Sequence, residues 1–226
     1  MTQQPFPPQQ PPRQGRGCFF YGCITAIILV LVLVVAGSFI IGGVRAFVKA
    51  AVDNYTETRP RELPKVEISE DDLARLQARV KAFTTAVDQQ KPGASLALTE
   101  KEINALIAHD PDFKELKDKV YVAIEGDQIK GQISYPLGKL GPLDLTGRYL
   151  NGEATFKIAL QGGMLFVMMQ SLTVAGKQPP EAFMQALRQE NLAKEACKDP
   201  DTAKALAKLD SIVVRDGCLI IAGRAP

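Results

Sequence analysis

The feature that most constrains the fold of this 226-residue chain is an uncharged stretch of 28 residues near its N-terminus. It fills residues 17–44, between Arg16 and Arg45, and is apolar almost throughout Phe19–Ile41. The hydrocarbon core of a bilayer is about 30 Å thick, and a helix of roughly 20 apolar residues crosses it. The stretch therefore predicts a transmembrane helix at residues 17–44.

The length of this stretch distinguishes it from a cleaved signal peptide. Such a peptide has an apolar core of roughly 7–15 residues before a small-residue cleavage site, about half the length found here. Val34-Val35-Ala36 has the form of such a site, but Phe39–Ile41 continue the apolar run beyond it. The pattern favours an uncleaved signal anchor.

The charges beside the span give opposing indications of its orientation. Two arginines precede it and four positive residues follow it closely, a bias that favours a cytoplasmic C-terminal side. Long domains, however, translocate largely regardless of charge, and a short leader before a long apolar core is usual for a signal anchor. We expect a single-pass cell-membrane protein with a cytoplasmic N-terminus and its C-terminal domain outside.

The composition of the other residues indicates three further segments, which are a tail, a helix with a linker, and a domain. Residues 1–16 hold five prolines and five glutamines, which indicates a disordered tail. Residues 45–65 are expected to continue the helix and then form a linker at Pro60 and Pro64. Residues 66–226 have a normal length for one domain with a single core.

Net charge excludes nucleic acid as a partner. Two of the 27 basic residues lie in the tail, which leaves 25 against 25 acidic residues in the rest of the chain. A nucleic-acid-binding domain normally carries a basic excess. The partners expected from this sequence are the membrane, an apolar ligand such as a lipid, or a second copy.

A first helix of about twenty residues is predicted to open at the capping box of Ser69. Its apolar residues follow a heptad pattern over two heptads, and they are Leu73, Leu76, Val80, Phe83 and Val87. Packing on the domain's own sheet is one interpretation of this seam. The other is a dimer stalk above a membrane helix whose small residues Ser38, Gly42 and Ala46 recur every four positions.

The sequence predicts an α+β domain in which flanking helices cover an antiparallel β-meander. A second helix is expected to begin at the capping box of Thr99 and to end before Pro111. Strands and turns then alternate, with Asn151-Gly152 and Asp216-Gly217 as hairpin turns. The predicted strands are 120–124, 128–134, 143–150, 153–161, 164–174, 212–215 and 218–221, with helices at 180–197 and 201–209.

Methionines concentrate in one predicted strand and the helix after it. The strand that begins at Met164 is apolar on both faces, which indicates a central strand covered by helices. Methionine also lines surfaces that bind varied apolar partners, so the alternative is a groove for an acyl chain or a partner's helix. The candidate ligand-binding residues are Met164, Phe166, Met168, Met169 and Met184.

The motifs of catalysis and metal binding are missing from the sequence. It has no nucleophile elbow, phosphate-binding loop or zinc-protease motif, and its single histidine, His109, falls in the last turn of a predicted helix. Cys197 and Cys218 lack zinc-site spacing. They are expected to form a disulfide outside the cytoplasm or to be two buried thiols inside it. We expect no enzyme, no metal and no cofactor.

One motif resembles a known family. Leu98-Thr99-Glu100-Lys101-Glu102-Ile103-Asn104-Ala105-Leu106-Ile107 and the later Gly176–Glu181 segment are similar to the YpmS-like family of small single-pass membrane proteins. The resemblance covers roughly residues 66–195. It implies an N-terminal anchor, a hairpin meander and a role outside the membrane, and it singles out Asn104 as a residue that bonds neighbouring backbone.

Two functions follow from these patterns. The first is a membrane-anchored, non-enzymatic binding module that holds a lipid or another apolar ligand in the cell envelope. The second is a structural protein that dimerises and supports an envelope complex.

Overall fold

The computed structural model describes residues 52–140 and 143–225. The predicted tail, the transmembrane helix and the small-residue positions Ser38, Gly42 and Ala46 lie outside the described residues. Within the described ranges, no helix has both the length and the apolar character needed to cross a bilayer.

In the described ranges, four α-helices and nine strands follow residues 52–55, which are helical. The helices are α1 (Glu70–Asp88), α2 (Glu100–His109), α3 (Glu181–Gln189) and α4 (Pro200–Ala207). The strands are β1 (Ser95–Thr99), β2 (Val120–Glu125), β3 (Gln128–Pro136), β4 (Lys139–Leu140), β5 (Leu143–Asp144), β6 (Tyr149–Gln161), β7 (Met164–Val174), β8 (Leu209–Arg215) and β9 (Cys218–Gly223).

The strands form two main antiparallel sheets. The four-stranded sheet has the order β2-β3-β6-β7, and the three-stranded sheet has the order β1-β9-β8. Strands β4 and β5 pair only with each other, in the connection between β3 and β6. The predicted α+β class and the antiparallel meander are confirmed, but the strands are divided between two sheets where the sequence pattern indicated one.

The predicted hairpin turn at Asp216-Gly217 is confirmed by its backbone angles, and a second turn has the same geometry. Asp216 and Gly217 join β8 to β9 with φ of 54° and 72°, and Gly162 and Gly163 join β6 to β7 with φ of 59° and 80°. Positive φ at both central residues is the requirement of a type I′ turn, whose twist matches that of the flanking strands.

The predicted turn at Asn151-Gly152 is wrong, because both residues lie within strand β6. The Asn151 side chain is buried and is hydrogen-bonded to the Ser134 hydroxyl and to the backbone carbonyl of Arg59, so it is not available to shape a turn. A Cβ on Gly152 would lie 3.2 Å from the Ile133 side chain, so this glycine serves close strand packing.

Other elements also differ from prediction. The chain turns at 145–148 within the predicted strand 143–150. Helix α3 ends at Gln189, where residues to 197 were expected to stay helical, because Asn191 leaves the helix to bond strand β7. Strand β1 was not predicted, although Leu96 and Leu98 alternate with exposed residues.

The heptad seam of α1 faces the core of its own chain. Leu76, Val80, Phe83 and Val87 are buried in the main hydrophobic cluster, and Leu73 is half-buried. Packing on the domain itself is therefore confirmed for the four buried residues. Their use as a dimer seam is contradicted, because their apolar surface is already covered, whereas the dimer role of Leu73 stays a prediction.

Candidate apolar binding site

The structure separates the predicted ligand-binding residues onto opposite sides of strand β7. Met169 and Met184 are buried in the core, with 0% and 3% exposed. Met164, by contrast, is 51% exposed, and Phe166 and Met168 are half-buried on the outer face of the strand. Only the outer three can meet a ligand, so the assignment of Met169 and Met184 is corrected to the core.

Strand β7 lies at the edge of its sheet, so its prediction as a central strand covered by helices is wrong. The segment after α3 closes its free edge. The amide of Asn191 accepts from Val167 N at 3.0 Å and donates to Leu165 O at 2.9 Å. The next residue, Leu192, donates its N–H to Val167 O at 3.0 Å. Both faces of β7 are apolar because one enters the core and the other forms part of a surface groove.

The apolar groove is an open depression of about 500 Å³ where the end of β6, the start of β7 and strand β8 meet. Phe166, Met168 and Ala159 line it from the two strands of the hairpin, and Val213 lines it from β8. Val213 is 38% exposed; it and Met164 are the two exposed large apolar side chains of the described residues. Exposed apolar side chains gathered at one place are typical of an interaction site.

The rim of the apolar groove is polar and its charges are paired. Lys157 Nζ lies 3.0 Å from Asp127 Oδ2, and Gln161 completes the polar edge. The hydrogen bond from Lys157 and the charge of its ammonium lower the pKa of Asp127 from its ordinary value. The groove thus combines an apolar centre with a satisfied polar rim, an arrangement suited to binding and without a free acid or base.

The cysteines and the histidine singled out from the sequence do not line the apolar groove. Cys197 and Cys218 are free and half-buried, and Cys197 Sγ contacts Leu165 O at 3.8 Å. The disulfide expected outside the cytoplasm is therefore not formed in this structure. His109 ends helix α2 with its side chain exposed. In the part of the chain that the structure describes, no group of three or more potential ligands could hold a metal ion.

Sequence reasoning found the β7 side of the apolar groove and missed the β8 side. The methionine cluster pointed to Met164, Phe166 and Met168. Val213, however, reads as one residue of an ordinary hairpin strand, and its outward position depends on how the two sheets meet.

The backbone bonds of Asn104 agree with the role expected from the family resemblance. Asn104 is 2% exposed, and its amide accepts from Val122 N at 2.8 Å and donates to Val122 O and Glu100 O. No protein-family model, curated protein or solved structure matches the chain. The site's chemistry therefore rests on the geometry of the apolar groove.

Proposed function

We propose that this chain is a membrane-anchored, non-enzymatic module that binds an apolar ligand in the groove between β6, β7 and β8. Its anchor is the uncharged stretch 17–44, and its domain stands outside the cytoplasm. The ligand is a lipid acyl chain or a similarly apolar group.

The observation that carries the proposal is the exposure of apolar side chains at one place. Phe166, Met168 and the 38% exposed Val213 line the groove, and Met164, 51% exposed, lies at the start of β7 on the same outer face as Phe166 and Met168. Covering a large apolar side chain stabilises by about 1.5–3 kcal/mol. A ligand that covered several of these side chains would bind favourably, because binding would remove from water the apolar surface that the free domain leaves exposed.

The identity of these side chains favours binding of varied apolar shapes. Methionine has an unbranched, polarisable side chain that adapts to its partner. The paired rim charges leave no unpaired ion for the ligand to desolvate.

Native mass spectrometry of the full chain with dodecanoate as the probe tests this proposal. We expect Phe166→Ser to weaken dodecanoate binding about tenfold, since the loss of one covered aromatic ring removes more than 1.4 kcal/mol. Leu63→Ser is the matched control, because Leu63 is a half-buried apolar residue of the linker that does not line the groove. Equal binding by the wild type and Phe166→Ser would contradict the site, and no binding by the wild type would contradict the ligand class.

Protease added to intact cells tests the proposed orientation. We expect residues 66–226 to be digested without lysis if the domain lies outside, as the signal-anchor layout predicts. A domain that is digested only after lysis would reverse the orientation, in agreement with the positive charges after the span.

A further inference from the structure

The chain that leads into the domain is bonded to the first residues of β6. Glu57 and Tyr149 exchange two backbone hydrogen bonds, from Glu57 N to Tyr149 O at 2.9 Å and from Tyr149 N to Glu57 O at 2.7 Å. This antiparallel bridge extends the sheet by one pair. The segment after the predicted span is thus part of the fold.

Arg148 caps the helical turn formed by residues 52–55. Its guanidinium donates to Val52 O at 3.1 Å, to Thr56 O at 3.3 Å and to the Thr56 hydroxyl. It also lies 3.4 Å from the Asp53 carboxylate. A helix C-terminus presents unpaired carbonyls and a partial negative charge, so a guanidinium from the domain stabilises the end of this turn.

Asn151 holds the next residues of the incoming chain. It is 4% exposed; its amide nitrogen donates to Arg59 O at 2.8 Å and to the Glu57 carboxylate, and its oxygen accepts from Arg61 N at 3.1 Å. Lys177 Nζ, after β7, adds a bond of 2.7 Å to Asn54. The start of β6, the residue before it and the turn after β7 therefore bind one short segment of the chain.

We infer that residues 52–61 are a rigid dock through which the chain enters the domain from its proposed anchor, at the end of β6 opposite the apolar groove, so that the groove lies at the end of the domain remote from the bilayer. The inference rests on the proposed anchor for the position of the bilayer. Strand β6 begins at the dock with Tyr149 and ends beside the groove with Gln161. At about 3.3 Å per residue, its 13 residues span roughly 40 Å along the strand.

A rigid dock has a consequence for the ligand. A flexible tether would let the groove sweep the surface of its own membrane. The dock places the entry of the chain at the end of β6 opposite the groove, so we expect the groove to receive an apolar ligand carried to it and not to extract one from the anchoring bilayer.

Hydrogen exchange of the full chain in detergent tests the dock. We expect the amides of Glu57 and Arg61 to be protected, and Arg148→Ala to speed their exchange at least about tenfold while the amides of β9 are unchanged. The matched control is Arg215→Ala, which removes an exposed arginine of β8. Exchange at Glu57 and Arg61 as fast as in an unstructured peptide in the wild type, or unchanged by Arg148→Ala, would overturn the dock.

Fluorescence quenching in vesicles tests the position of the groove independently of ligand binding. A fluorophore is placed at Met164→Cys or at Gln178→Cys, next to Lys177, in a chain whose four native cysteines are serine. With a nitroxide-headgroup lipid, we expect the Gln178 probe to lose most of its emission and the Met164 probe to keep most of it. Equal quenching would overturn the inference. Failure of the chain to float with the vesicles would overturn the anchor on which it rests, and hydrogen exchange would still decide the dock.

Discussion

Three asparagine side chains pair with main-chain groups that strands alone leave unpaired. Asn104 bonds the outer edge of β2, Asn191 bonds the outer edge of β7, and Asn151 holds the incoming chain. An exposed strand edge is a template for unwanted pairing, and an amide supplies both the donor and the acceptor that close it. An asparagine thus pairs backbone groups on each edge of the four-stranded sheet, at Val122 on β2 and at Leu165 and Val167 on β7.

These asparagines show how far the sequence could predict single residues. Asn104 lies in a helix whose start the capping box of Thr99 predicts, but its bond to neighbouring backbone was expected only from the family resemblance. Asn151 precedes a glycine and resembles a turn residue. Its partners, Glu57 and Arg61, lie about ninety positions away in the chain. The residues around Asn151 in the sequence do not indicate partners so far away in the chain.

Replacing Asn104 tests how much its hydrogen bonds to the edge of β2 stabilise the domain. We expect Asn104→Ala to lower the free energy of unfolding by about 2–4 kcal/mol, because the N–H and C=O of buried Val122 lose their partner. Urea unfolding of the full chain in detergent measures the change. Asn54→Ala, at an exposed asparagine, is the control and should cost less than about 1 kcal/mol. A similar small loss for Asn104→Ala would contradict this role.

Tyr121 gives the fold a dependence on high pH. Its hydroxyl donates to Glu100 Oε1 at 2.6 Å, and this bond, followed by burial and by the carboxylate charge, raises its pKa from 10.0 to about 12. The unfolded chain therefore releases this proton first, so the contribution is complete below pH 10 and is lost as pH rises toward 12. We expect Tyr121→Phe to lose less stability over this window than the wild type. Parallel losses in urea titrations of the two proteins would contradict the assignment.

At the scale of elements, predictions succeeded where a few neighbouring residues decide the structure. Thr99 forms the expected capping box with Glu102, and the Asp216-Gly217 turn follows from residues that tolerate positive φ. They failed where a distant element intervenes. Helix α3 ends early because Asn191 is hydrogen-bonded to the backbone of β7, although the sequence of the helix itself contains no stop signal at Gln189.

Gly223 marks a close approach between elements that can be tested by adding one methyl group. A Cβ at this position would lie 2.9 Å from a Val87 methyl and 3.1 Å from Ala94 Cβ. We expect Gly223→Ala to destabilise the domain by about 1–3 kcal/mol through overpacking.

The control for this change is Gly138→Ala, where nothing lies within 4 Å of the added carbon. Thermal unfolding of both variants should separate them, with Gly138→Ala within about 0.5 kcal/mol of the wild type. Equal stability of the two variants would show that α1 and β9 pack less tightly than described.

At the scale of the whole molecule, composition and periodicity predicted the α+β class but not how the strands are divided between the sheets. Alternation of apolar residues indicated antiparallel strands, but alternation does not say which strands share a sheet. The apolar groove depends on that missing information, since Val213 and Phe166 are brought together only when β8 packs near the end of β6. The dock depends on distant contacts in the same way, because residues 52–61 bind residues of β6 that lie about ninety positions later in the chain.

The central claim, that the outer face of β7 binds an apolar ligand, divides four of the five methionines of the chain into two groups. Met164 and Met168 lie on the outer face, whereas Met169 and Met184 are buried in the core. The most direct measurement is NMR of methyl-labelled methionines in the full chain, held in amphipol and titrated with dodecanoate. We expect the Met164 and Met168 methyl signals to shift with saturation while those of Met169 and Met184 stay in place. Shifts confined to Met169 and Met184, or no shift at any of the four, would contradict the account.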